Sequence, residues 1–146
     1  HDLFSANDVA STDILLRTFA GDKGHLDFRV ALLATRADRP MRTQAFVEWL
    51  RREDSFDLLV PVGSHAWYAF LAMRADTGKA HGLLLGLANP WAGVEAVMRK
   101  VCSVAVRRGA RSLTLVGLGN AHGSGMKWRE DFSRWVRDDA AGSDCR

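Results

Sequence analysis

Cysteine is scarce in this chain: two residues in 146, Cys102 and Cys145, do not make a disulfide framework. A reducing, intracellular compartment is therefore the simpler expectation. Cys102 falls in an apolar helical stretch, where a thiol usually packs as a small hydrophobe, and Cys145 stands one residue from the end. Long apolar runs are also missing. The longest, Ala66 to Met73, is about eight residues, and a membrane helix needs about 20, so no segment is expected to span a bilayer. The five histidines are scattered, with no His-x-His, no HExxH and no paired cysteines, so neither a metal nor another cofactor is expected.

Repeats, low-complexity tracts and Pro/Gly/Ser-rich linkers are absent too, which predicts one domain over residues 3–138 and a flexible tail over 139–146. Hydrophobic residues at 47% and charged residues at 25% are ordinary globular usage, which excludes disordered, collagenous and coiled-coil classes. The chain opens on His1 with no charged-then-apolar leader, which reads as a processed or excised piece of a longer polypeptide.

Charge is uneven. Residues 1–60 carry eight Lys and Arg against ten Asp and Glu, a balance of −2, whereas residues 61–146 carry twelve against seven, a balance of +5. Between Thr77 and Arg129 the only acid is Glu95, against eight bases. Such a segment is compatible with a polyanionic partner.

Periodicity predicts a layered α/β domain with a mixed β-sheet flanked by helices, in the order α-β-α-β-β-β-α-β-α. The first helix spans Ala6 to Ala20, with Ser5 as its cap and Val9, Leu15, Leu16 and Phe19 on one face. Phe28-Arg-Val-Ala-Leu-Leu-Ala-Thr35, apolar but for Arg29 and Thr35, is a run of strand length, read as a buried central strand. Pro40 suits a first helical position, and the helix that follows runs to about Glu53, burying Phe46, Trp49 and Leu50. Asp57 to Val62 reads as a strand whose Pro61 lies at a sheet edge or at the strand end. Residues 66–74 and 80–87 read as a hairpin, because Ala75-Asp-Thr-Gly-Lys79 is turn chemistry between two apolar runs. A helix over 91–108 buries Val94, Val97, Met98, Val101 and Ala105 and ends at Gly109. Ser112 to Gly117 is a strand, a glycine-rich loop follows, and a helix over 126–138 buries Trp128, Phe132, Trp135 and Val136.

The run α(41–53)-βββ-α(91–108)-β(112–117) is similar in order to restriction-endonuclease-like cores, and βββ-α-β-α from Asp57 onward resembles the start of a ribonuclease-H-like fold. Arg108 to Gly119 resembles the helix–strand–Gly-loop of macro-type ADP-ribose-binding domains. The nuclease resemblances imply clustered carboxylates that hold divalent metal. Here the central strands offer only Asp57 and Asp76, and Glu95 is spaced to pair with Arg99 one helical turn on. A nuclease-like or macro-like scaffold would thus lack its metal-binding carboxylates.

The loop from Gly117 to Gly125 is the most informative segment for function. Gly117, Gly119, Asn120, His122, Gly123 and Ser124, placed between a strand and a helix, would let backbone N–H groups face an anion. Arg107, Arg108 and Arg111, at the end of the preceding helix, supply cations to the same expected ligand site. The expectation is a non-catalytic module for a phosphate-rich partner, a nucleotide or nucleic acid. The alternatives are a metal-independent hydrolase or transferase acting through His65 and His122 with Ser64, Ser124 and Asn120, or a protein-interaction domain of a larger polypeptide.

Overall fold

The computed structural model describes residues 1–3, 6, 8–19, 24, 26–75, 84–85, 93–120 and 122–139. Four strands, β1 (Asp27–Thr35), β2 (Leu58–Gly63), β3 (Leu84–Leu85) and β4 (Ser112–Gly119), form one sheet in the order β3-β2-β1-β4. Every strand pairing is parallel. The helices are α1 (Val9–Phe19), α2 (Pro40–Leu50), α3 (Ala66–Ala75), α4 (Val94–Arg107) and α5 (Ser124–Asp139).

The apolar residues of β1 have the burial that their composition demands, and Arg29 and Thr35 are buried with them. From Phe28 to Thr35 every residue is buried, because β1 has a neighbour on each side and helices over each face. Phe28, Val30, Leu32 and Ala34 face the layer of α4 and α5, packing with Val97, Met98, Val101 and Trp128. Ala31 and Leu33 face α1, α2 and α3, packing with Leu16, Phe46, Val47, Leu50 and Ala69. The period of two along the strand thus feeds two cores.

The mixed sheet and the hairpin are corrected by the structure. Residues 66–75 form α3, not a strand, so among the described residues the order is α-β-α-β-α-β-α-β-α. Ala66, Ala69 and Met73 recur at helical spacing, and all three are buried. That spacing outweighs the turn chemistry after it. The expected turn at residues 76–78 lies outside the described residues, and Leu84 and Leu85, from the expected second arm, run parallel to Leu58 and Leu59. With α3 breaking the βββ run, the nuclease-like resemblances lose their basis. The architecture is a doubly wound parallel sheet.

Several local expectations hold. Val94, Val97, Met98, Val101 and Ala105 are the buried residues of α4. Gly109 at φ +72° lets the Ala110 N–H reach the Ala105 carbonyl at 3.1 Å and its own N–H reach the Val106 carbonyl at 2.9 Å. These two bonds are a Schellman stop. Arg99 and Glu95 pair at 2.5 Å on the exposed side of α4, the ordinary i, i+4 contact. Other details differ. Asp8 caps α1, accepting from the Ser11 N–H at 2.8 Å, whereas Ser5 is outside the described residues. Phe19 is exposed, Cys102 and Trp49 are half-buried, and Cys145 lies outside the described residues. Among the described residues no helix is long and apolar enough to cross a membrane.

Of the aromatic face of α5, only Trp128 is buried, at 6% exposure, while Phe132 and Trp135 are half-buried and Val136 is exposed. Trp128→Ala should therefore cost about 3–5 kcal/mol in a denaturant titration, the range for emptying a core aromatic site. Trp135→Ala should cost only about 1 kcal/mol. The reverse ranking would mean that α5 is rotated about its axis.

Candidate functional site

In a doubly wound sheet, ligands are received outside the carboxyl ends of the strands, where successive connections leave in opposite directions. Here the chain leaves β1 toward β2 and β3, then returns past both to β4, so that point lies between β1 and β4. The carboxyl ends there are Thr35 of β1, Gly63 of β2 and Gly119 of β4, with Thr35 level with Gly63 and Ala34 level with Gly119. Helices α2, α3 and α5 all begin at this edge, and each turns its positive end toward it.

Two buried polar side chains tie the edge together. The Thr35 hydroxyl donates to the Val62 carbonyl at 2.8 Å and accepts the His65 N–H at 2.9 Å, which fixes the start of α3 against β1. Asn120, 3% exposed, does the same on the other side. Its backbone N–H donates to the Ala34 carbonyl at 3.2 Å, and its side-chain Nδ2 lies 3.4 Å from the same oxygen. Its Oδ1 accepts from Nη1 of Arg42, on the first turns of α2, at 2.8 Å. The backbone around it leaves no room for side chains. A Cβ on Gly119, which sits at φ +93°, would lie 2.4 Å from the Ala34 carbonyl oxygen, and one on Gly125 would lie 1.8 Å from the Asn120 carbonyl oxygen.

Arg36 follows β1 directly. It donates to Asp38 through Nε at 2.8 Å and Nη2 at 2.7 Å, a two-pronged contact. Those hydrogen bonds hold the Asp38 carboxyl below the ordinary aspartate value. The Arg36 stem also reaches the turn before α5, where a Cβ on Gly123 would stand 3.9 Å from its Cγ. Arg36, Arg42 and the turn that carries His122 therefore lie together at the carboxyl ends of β1 and β4.

The residues expected to form a site are only partly united. Gly117 lies inside β4, and its N–H and carbonyl are both used by residues 1–3. Gly119 ends the same strand, Asn120 is buried, His122 and Gly123 are exposed in the turn, and Ser124 begins α5. Ser64 is exposed and His65 half-buried at the start of α3, on the β2 side. The two expected segments thus share one edge, but β1 stands between them, so the strand ends bearing His65 and His122 are about 10 Å apart. Among the described residues no hydrogen bond joins the two imidazoles.

Arg107, Arg108 and Arg111 are elsewhere. They precede Ser112, at the amino end of β4, whereas the loop follows Gly119 at its carboxyl end. Eight residues of strand separate the two by about 23 Å, too far for one small ligand. Sequence reasoning missed Arg36 and Arg42. Their signal was an arginine directly after the most apolar strand and another on the first turn of the next helix.

The family model of the poly-γ-glutamate synthase CapB C-terminal domain matches residues 1–134. The chain belongs to that family. No curated protein and no solved structure matches the chain. Membership corrects the expectation of a non-catalytic nucleotide- or nucleic-acid-binding module, since the family is a synthase domain and nothing in it supports a nucleic-acid partner. The macro-like resemblance falls with it. A domain that belongs with a larger polypeptide or complex, one of the alternatives, agrees with the family.

Two outcomes check this geometry. Asn120→Ala strands the Arg42 guanidinium and removes a buried amide, and should destabilise the fold by about 1–3 kcal/mol in a denaturant titration. Arg36→Gln should return the Asp38 carboxyl upward toward the ordinary aspartate value in a carbon-13 NMR titration. The sign follows from linkage. A carboxyl depressed in the folded state contributes stability above its unfolded value, and that contribution fades as pH falls through the folded one. An unmoved Asp38 titration would mean that the pair does not persist in solution.

Proposed function

We propose that this domain serves a poly-γ-glutamate synthase as the part that receives the acidic γ-glutamyl substrate, at the carboxyl edge of its sheet between β1 and β4. The family name supplies the chemistry. In a chain of glutamates joined through their γ-carboxyls, every residue keeps a free α-carboxylate, so the substrate and the growing polymer are polyanions. Guanidinium groups suit them, because the planar fork of arginine matches both oxygens of a carboxylate.

The observation that carries the reading is Arg42 held on buried Asn120 at the switch point of the sheet. A guanidinium anchored by one nitrogen retains its other donors for a ligand at little further entropic cost. Arg36 is the second cation, and the N–H groups of Gly123 and Ser124 at the start of α5 are the backbone donors we assign to the same carboxylate. His122 stands at the rim as the side chain best placed to take or return a proton, with His65 and Ser64 across β1. Arg107, Arg108 and Arg111 take no part, since they lie at the opposite edge.

The test is binding of a purified γ-linked glutamate oligomer to the chain across a salt series. Arg36→Gln with Arg42→Gln should weaken binding by about tenfold or more, as loss of charge-assisted hydrogen bonds does, and should flatten the salt dependence. Arg107→Gln with Arg108→Gln should leave both within about twofold, because those groups are beyond a Debye length of the crevice. Equal losses from the two pairs would show a diffuse electrostatic attraction and discard the site.

A further inference from the structure

On the other face of the sheet, between α5 and the outer edge of β4, lies a cavity of about 250 Å³. Leu32, 2% exposed, is its floor, and Leu115, Trp128 and Phe132 form the walls. A closed apolar cavity of roughly 150 Å³ is enough for benzene, so this one has room for an aromatic ring with a short side arm. The lining is apolar except at one side, where His1, Asp2, Arg129 and Ser133 meet.

Asp2 is brought there by strand-like pairing. Residues 1–3 run parallel to β4, with the Gly117 N–H donating to the His1 carbonyl and the Leu3 N–H to the Gly117 carbonyl, both at 3.0 Å. This places Asp2 Oδ2 3.1 Å from Nε of Arg129, in an ion pair whose two side chains remain largely exposed, at 42% and 67%. A carboxylate on a guanidinium, at the lip of a pocket walled by Trp128 and Phe132, is a template for one class of ligand.

We propose that this cavity binds a small aromatic carboxylate, with its ring among Leu32, Leu115, Trp128 and Phe132 and its carboxylate replacing Asp2 on Arg129. The ring would meet aromatic walls in the tilted or edge-on arrangements that such pairs favour. The incoming carboxylate takes over one contact of Asp2, so occupancy is felt at the adjacent pairing of residues 1–3 with Gly117. The site is independent of the crevice proposed for γ-glutamyl chains, which have no apolar body to fill this space, so either assignment can fail alone.

Phenylacetate is the probe, titrated into the 146-residue chain and followed by two-dimensional NMR at the Gly117 amide and the Trp128 indole N–H. Both signals should shift saturably, and phenylacetamide, the uncharged counterpart, should bind at least about threefold more weakly. Asp2→Asn removes the competing carboxylate and should tighten phenylacetate by about threefold, while Arg129→Gln should weaken it by a similar factor. Both positions are exposed enough for the fold to persist, which circular dichroism verifies. Failure of either signal to saturate at millimolar phenylacetate in Asp2→Asn would overturn the proposal. So would equal binding of phenylacetamide, or affinity indifferent to Arg129→Gln.

Discussion

Strand β1 has a parallel partner along each side and a helical layer over each face, so none of its buried backbone groups can turn to water. Its pairing with β4 runs from Asp27 opposite Ser112 to Ala34 opposite Gly119, and at the far end the two chains press together. There the Ala34 carbonyl receives Asn120, and residue 119 must lack a side chain for the approach to occur. Asn120 in turn positions Arg42 and leaves no space for a Cβ on Gly125. The carboxyl edge of the sheet, with its arginines and its helix starts, is the product of that one close contact.

A parallel sheet also sorts charge by direction. Side chains that follow strands collect at one edge and side chains that precede them collect at the other, whatever their distance in sequence. Arg36 and His122, 86 positions apart, meet at one edge, whereas Arg111 and Asn120, nine positions apart, face opposite ways. Arg107, Arg108 and Arg111 at the amino edge are thus not one basic surface with Lys127 and Arg129 near the start of α5, since the length of β4 separates them.

Much of the fold was legible wherever burial and periodicity coincide. The run of β1, apolar from Val30 to Ala34, could only be central, and the five-residue stripe of α4 with its terminal glycine marked both the face and the end of that helix. Residues 66–75 were misread because a buried helix and a buried strand are both simply apolar, and the turn-like residues after Arg74 favoured a hairpin. That one element changed the sheet from mixed to parallel, and with it the edge on which each loop lies. The glycine-rich loop was found, but its partners were not. Proximity in sequence suggested Arg107 and Arg108, while the side chains in reach, Arg36 and Arg42, come from the far side of three crossovers. The proposed carboxylate ligand was not written in composition at all, since an arginine can hold either a phosphate or a carboxylate.

Residues 1–3 have a consequence for the order of events in folding. The backbone at His1 reaches the Leu115 carbonyl across a sequence separation of 114, and β1 meets β4 across 85. On the ribosome, β1 and β2 can pair early, but one side of β1 stays open until the last strand emerges. Residues 1–3 pair with that strand, which is made after most of the described elements. Contacts of such separation carry the largest loop-closure entropy and form late. Pairing in that order would assemble α1, α2, β1, β2 and α3 first and fill the β4 position last. Filling it closes the sheet and brings Asp2 to Arg129.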